Sequence, residues 1–304
     1  MNAIVFFCFR PPKELFDFAK LLKNETYDIF VSVNDNNYKI PEYDEKKITI
    51  IKLDDNTVRN EGYFNSNCFM KGQVSSRDKS FYYFNKVNHT DYKHIWFIEE
   101  DVFIPSPKTI SNLDKKYPEG DYMSASYFIV DKDIDNLDHF KSINKDCTFI
   151  KFNGDYNFND CCGFKIFNMI KYYDFPWLKG MTCAIRVSKT FLNHIDIFAS
   201  KHKTLIMDEL LYLTLAVHNN LSIVNPIELS TIVYRSKPLP DSVPVSDVFY
   251  WNLNDIREDY LFHPMKDFTL QHKLRLAHNF IQHPPGNMKI RRVKRNAMKL
   301  INYP

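Results

Sequence analysis

Glycine is scarce, with seven residues in a chain of 304. That leaves little room for a glycine-rich phosphate loop, and neither GxGxxG nor GxxxxGKS/T occurs. Any phosphate this chain binds must be held by side chains or a metal, not by a nest of backbone N–H groups. The six cysteines (Cys8, Cys68, Cys147, Cys161, Cys162 and Cys183) include no CxxC pair, and the adjacent Cys161-Cys162 is an awkward spacing for zinc. Cys8 and Cys183 sit in apolar, strand-like runs and read as small hydrophobes, which predicts a reducing, cytoplasmic setting. No apolar run approaches the length of a membrane span. The N-terminal apolar segment 3–9 is short, lacks a basic start and ends in Arg10-Pro11-Pro12, so it does not read as a secretory leader. Charge of one sign is lacking too: the formal net charge of +3 predicts no strong general attraction to nucleic acid.

Aromatic residues are abundant, with 26 Phe and 18 Tyr. A hydrophobic share of 44% and a charged share of 25% describe an ordinary globular chain, long enough for one large or two small domains. Its most informative stretch runs from His94 to Pro105 (HIWFIEEDVFIP). Ile95 to Ile98 show no polar alternation, which predicts a strand buried on both faces. Three carboxylates follow at once, Glu99, Glu100 and Asp101. Burying them as bare charges would cost several kcal/mol each, so they must reach water, meet cations or hold a metal. In an extended segment Glu99 and Asp101 share one side and Glu100 faces the other. An acid-x-acid step at the carboxyl end of a strand can hold a hard divalent cation, which in turn can hold a diphosphate.

Around that strand the chain alternates β and α. Segments 3–9, 27–33 and 47–53 read as strands, the second ending at Asn34-Asp35. Segment 13–23 reads as an amphipathic helix after two prolines, and Ser75 or Ser76 caps a helix running to Val87. The alternation predicts a parallel sheet covered by helices, a Rossmann-like half. Beyond Pro107, strands are expected at 121–130, 181–187, 221–224 and 230–234, and helices at 188–198, 207–218 and 288–301. Loops or an insertion are expected over 131–160, and a proline-containing crossover over 239–246. Trp177, before Gly180, suits either the core or stacking against a sugar face.

The order of these features resembles GT-A-type glycosyltransferases, nearest to divergent members found in large DNA viruses and microbial eukaryotes. The likeness covers about residues 1 to 270. It implies an α/β, GT-A-like Rossmann-type fold with a mixed, mostly parallel sheet flanked by helices. It also implies a catalytic domain over 1–270 (a nucleotide-sugar half 1–107 and an acceptor half 108–270) and a basic helical extension over 271–304. Glu99-Glu100-Asp101 resembles the DxD motif, with Asp101 as metal ligand and Glu99 turned to the ribose or metal. His263-Pro264-Met265-Lys266 is similar to the late His and Lys that complete the metal site and hold the diphosphate. Asp35 resembles the acid that touches base or ribose, and Asp78-Lys79 a helix start that contacts the donor. Asp208-Glu209 resembles the acidic pair that supplies a base in inverting members; retention would need neither. The implied activity is hexosyltransferase-like: transfer from a UDP-sugar to a glycan, protein or small-molecule hydroxyl, with Mn²⁺ or Mg²⁺ on the diphosphate.

Taken singly, each residue also has an ordinary role. Asp35 suits a turn, Asp208 and Glu209 suit a helix N-terminus, and Arg77 to Lys79 suit a solvated helix start. The basic tail, Lys289 to Lys299, reads as a solvated face that can also meet an anionic membrane. Two rival classes stand beside the transferase. One is a sugar-phosphate nucleotidyltransferase, which would show a glycine-rich signature where Phe9-Arg10-Pro11-Pro12 stands. The other is a non-enzymatic binding protein using the tail, which leaves the acid cluster without purpose.

Overall fold

The computed structural model describes residues 1–65, 73–131, 148–151, 166–233, 258–284, 286 and 288–300. The expected crossover over 239–246 and most of the expected insertion over 131–160 lie outside them. The first strand, β1 (Asn2–Cys8), lies inside the main sheet, parallel on one side to β2 (Tyr27–Val33) and through it to β3 (Ile48–Ile51). On its other side lies β4 (His94–Glu99), also parallel, with Phe7 beside Glu99. Next comes β9 (Ala184–Ser188), antiparallel both to β4 and to β5 (Tyr122–Met123), and β10 (Ile223–Val224) closes the edge parallel to β5. The order is β10-β5-β9-β4-β1-β2-β3, with β9 the one reversed strand of the seven.

Residue parity sorts the inner strands into two cores. Val5, Phe7, Ile95 and Phe97 join one cluster with Phe81, Phe191 and Leu210, from helices α3 (Ser76–Tyr82), α5 (Lys189–His202) and α6 (Asp208–His218). Ile4, Phe6, Trp96 and Ile98 join the other with Leu15, Phe16 and Ile110, from α1 (Lys13–Leu22) and α4 (Thr109–Lys116). This is why β1 and β4 read as unbroken apolar runs: both faces are covered, as in a parallel α/β sheet. A short helix, α2 (Asp55–Asn60), starts at Asp54, whose carboxylate accepts from the Thr57 N–H.

Several expectations change. The expected strand 121–130 divides between β5 and β6 (Tyr127–Asp131), and β6 belongs to a second sheet with β7 (Thr148–Lys151) and β8 (Trp177–Gly180). The expected strand 230–234 is, within the described residues, only a bridge from Ile232 to His263. Trp177 is fully buried, stacked on Phe175 at 4.1 Å with Nε1 donating to the Tyr173 carbonyl, so it offers no ring to a sugar. The expected boundary after residue 270 falls inside α7 (Phe268–Gln282). That helix packs onto the body: the Arg275 guanidinium lies 3.6 Å over the Phe18 ring, and its Nε donates to the Ile104 carbonyl. The basic helix α8 (Ile290–Leu300) buries Val293 and Ala297. Among the described residues no helix is long and apolar enough to cross a membrane.

Candidate functional site

The chain order reverses between β1 and β4: β2 and β3 extend the sheet to one side, while β4 opens the other. In open α/β sheets the crevice outside the carboxyl ends at such a switch point is where ligands bind. A cleft of ≈ 440 Å³ lies there, lined by Phe7 to Phe9 at the end of β1, Glu99 to Asp101 at the end of β4, and Lys266. Ser75 to Asp78 and Asp208, at the starts of α3 and α6, complete its wall. The volume suits a small-molecule ligand, for which pockets of about 300–1,000 Å³ are usual.

Parity decides which acid meets which partner. Glu99 follows Phe97 onto the α3/α6 face of the sheet, where Arg77 is waiting. The Arg77 guanidinium pairs with both Glu99 and Asp208, and with its side chain only 14% exposed these carboxylates take the place of water around it. Thr182 joins them, accepting from Arg77 at 3.0 Å and donating to Asp208 Oδ2 at 2.6 Å. Glu100 points to the other side, toward the Phe9 N–H and the Cys8 thiol, and burial pushes its carboxyl pKa up. Asp101 does not continue the strand. The Val102 N–H donates back to the Glu99 carbonyl at 3.0 Å, closing a turn, and the Met265 N–H donates to the Asp101 carbonyl at 2.7 Å. The shared side expected for Glu99 and Asp101 is thus reached through a turn and a neighbouring loop, not through strand alternation.

That loop carries His263. Phe262 and Phe103 exchange backbone hydrogen bonds at 2.8 and 3.1 Å, which fastens segment 262–266 beside the carboxylates. The His263 Nε2 lies 3.5 Å from Asp101 Oδ1 and 4.0 Å from Glu99 Oε2. Its Nδ1 is 3.2 Å from the Val233 carbonyl, a contact that places the hydrogen on Nδ1. Burial works to lower the His263 pKa, but Asp101 and Glu99 outweigh it, and the pKa is raised. A neutral Nε2 lone pair facing two carboxylates needs a proton or a cation between them. Asp101 Oδ1 is itself buried with no hydrogen-bond donor. Glu99, Asp101 and His263 are the side chains that could hold a divalent cation here, and a proton on Nε2 would satisfy the same carboxylates. Among the described residues the three side chains whose ligand atoms converge, within 4.8 Å of one another, are Glu99, Cys183 and His263.

The other expected site residues divide. Asp78 lines the cleft, accepts from the Asn65 N–H at 3.1 Å, and burial pushes its pKa up to about 6. Lys79, expected to contact the donor, is fully buried instead. Its ammonium donates to the Asn34 carbonyl and Asn36 Oδ1, both at 2.9 Å, and pairs with Asp55 at 2.8 Å. Helical geometry explains the difference: α3 turns Asp78 to the cleft and its neighbour about 100° away, under the end of β2. Asp35 accepts from the Asn37 N–H and pairs with Arg10, which hold its pKa down, and its neighbour Asn34 is the residue that reaches the cleft. Glu209 sits 3.7 Å from Lys179, outside the cleft lining, whereas Asp208 is in it. Arg77, Thr182 and Cys183 were not anticipated. Only the Ser75 cap hinted at Arg77, by placing it in the first turn of a helix beside Asp78. No protein-family model matches this chain, and a search of curated proteins finds no match either.

Proposed function

We propose that this chain is a glycosyltransferase that moves a sugar from a nucleoside diphosphate, a UDP-sugar, to a hydroxyl acceptor. The observation that carries the reading is that Glu99, Asp101 and Lys266 line one cleft at the switch point of a mostly parallel sheet, with His263 Nε2 3.5 Å from Asp101 and 4.0 Å from Glu99. A GT-A-like arrangement fits that sheet. Asp101, His263 and Glu99 would hold the cation, which when bound neutralises charge growing on the departing diphosphate. Lys266, exposed at the rim, places a second positive charge where the phosphates would lie. Glycine is dispensable in this scheme because side chains do the clamping.

Asp208 is the group positioned to act on the acceptor. As the acceptor oxygen bonds to the anomeric carbon and the bond to the diphosphate breaks, Asp208 takes the hydroxyl proton. Arg77 holds that carboxylate in place before the acceptor arrives, and Thr182 fixes its second contact. Glu209, turned to Lys179, has no part in the transfer. A donor panel with Mn²⁺ tests the reading: UDP-sugars should be turned over or hydrolysed, and Asp208→Asn should lower transfer by roughly 10²-fold while sparing donor binding. Full transfer in Asp208→Asn, with loss in Glu209→Gln, would reverse the assignment; no turnover of any nucleotide sugar would remove it.

A further inference from the structure

The reversed strand β9 brings its start, not its end, beside Glu99, and this places a thiol among the oxygen and nitrogen donors. Glu99 N–H donates to the Cys183 carbonyl at 2.7 Å, which locks the two residues side by side. The Cys183 Sγ lies within 4.8 Å of a Glu99 carboxylate oxygen, and the residue is 7% exposed. Glu99 divides its oxygens: Oε1 goes to Arg77, while Oε2 faces His263. The Cys183 Sγ, a Glu99 oxygen and a His263 nitrogen all lie within 4.8 Å of one another. Around one cation with bonds of about 2.0–2.3 Å, ligand atoms sit about 3.5 Å apart, so side-chain rotations alone close the set. Asp101 Oδ1, buried and without a hydrogen-bond donor, stands 3.5 Å from the same imidazole as a further oxygen.

We propose that Cys183 is a ligand of the cation in this cleft, so that the site is a mixed carboxylate, imidazole and thiolate centre. It then selects a borderline first-row cation, Zn²⁺ or Co²⁺, over Mg²⁺ and Ca²⁺, with Mn²⁺ held less tightly than either. The reason is ligand softness: Mg²⁺ wants near-octahedral oxygen and keeps its waters, whereas thiolate and imidazole favour the later metals. An apolar plug would need neither the carboxylate contact nor the facing imidazole. The proposal rests on reading the cleft as a cation site, and it departs from an all-oxygen-and-nitrogen site by one named atom.

Cobalt reports thiolate ligation without any need for activity. The reduced full-length chain, stripped of metal by chelator and dialysed, is titrated with Co²⁺ and followed by absorption. Visible d–d bands should appear together with a near-ultraviolet thiolate-to-cobalt charge-transfer band. Cys183→Ser and Cys183→Ala should both lose the charge-transfer band, keep d–d absorption and bind Co²⁺ about 10-fold more weakly or worse. Cys8→Ser, altered at a thiol that lines the cleft but meets Glu100 and not Glu99, should keep both bands. Mg²⁺ at matched concentration should fail to displace Co²⁺ from the unaltered chain. Co²⁺ binding without a charge-transfer band, or a band that survives both Cys183 variants, would overturn Cys183 ligation while leaving the cation site standing. No Co²⁺ binding at all would bring down both.

Discussion

Asp78 shows what the cleft costs at the level of one residue. Its side chain lines the cavity, yet burial raises its pKa from 3.8 to about 6. An acid of this kind holds its proton more tightly folded than unfolded, so its stabilising effect is complete below about pH 4 and is lost as pH rises through about 6. Each tenfold change in proton affinity is worth about 1.4 kcal/mol, so keeping this carboxyl buried costs the fold roughly 3 kcal/mol at pH 7. Asp78→Asn keeps the shape and an acceptor for the Asn65 N–H, so it should be more stable than the unaltered chain at pH 7 and no more stable at pH 4. Urea denaturation at the two pH values measures this; equal differences at both would show that Asp78 is not the titrating group. A buried carboxyl maintained against stability belongs at a functional site more often than elsewhere. Asp101 makes the complementary case. Its hydrogen bond to the body of the fold runs through its backbone carbonyl, from the Met265 N–H, so Asp101→Ala should leave thermal stability within about 1 kcal/mol. The same change should abolish Mn²⁺ binding by titration, and unchanged binding would move the cation elsewhere.

Among the elements, α3 does the most positioning. Ser75 caps it, and within one turn it sends Arg77 and Asp78 to the cleft and Lys79 beneath β2. Lys79 ties the end of β2 to α2 through Asn34, Asn36 and Asp55, so it sets the floor on which the cleft stands. Lys79→Ala strands a carboxylate partner and the acceptors at the end of β2, and should cost about 3 kcal/mol in chemical denaturation; a loss under about 0.5 kcal/mol would mean the ammonium is replaceable by water. The start of this helix was legible, because a capping serine before Phe81 and Phe84 is a local signal. Which way each residue of its first turn points was not, since that depends on the strand it crosses. The same limit hid Cys183. Segment 181–187 reads as a strand from its composition, but composition carries no direction, and only the reversal of β9 places Thr182 and Cys183 beside Glu99. Helix α4 escaped notice for a related reason: its apolar residues, Ile110 and Leu113, are few and become a face only against Trp96.

At the level of the whole molecule, the α/β alternation of the first hundred residues was readable because buried parallel strands leave unbroken apolar runs. The second sheet was not, because a single run, 121–130, supplies one strand to each sheet with a three-residue bend between. The site itself was half legible. Three acids after a buried strand identify a strand end that must meet something positive. Bringing His263 to it requires the Phe103–Phe262 bridge, a contact between segments too distant for any local pattern to record. On the proposed reading, Glu99, Asp101, His263 and Lys266 would hold a cation and, through it, a diphosphate at this cleft. Calorimetric titration of UDP into the full chain, with Mn²⁺ and then with excess chelator, tests that directly. Binding with Mn²⁺ that falls by at least about 10-fold in chelator, and is equally lost in His263→Ala, is the expected result. UDP bound as tightly in chelator as in Mn²⁺, or not bound in either, would contradict it.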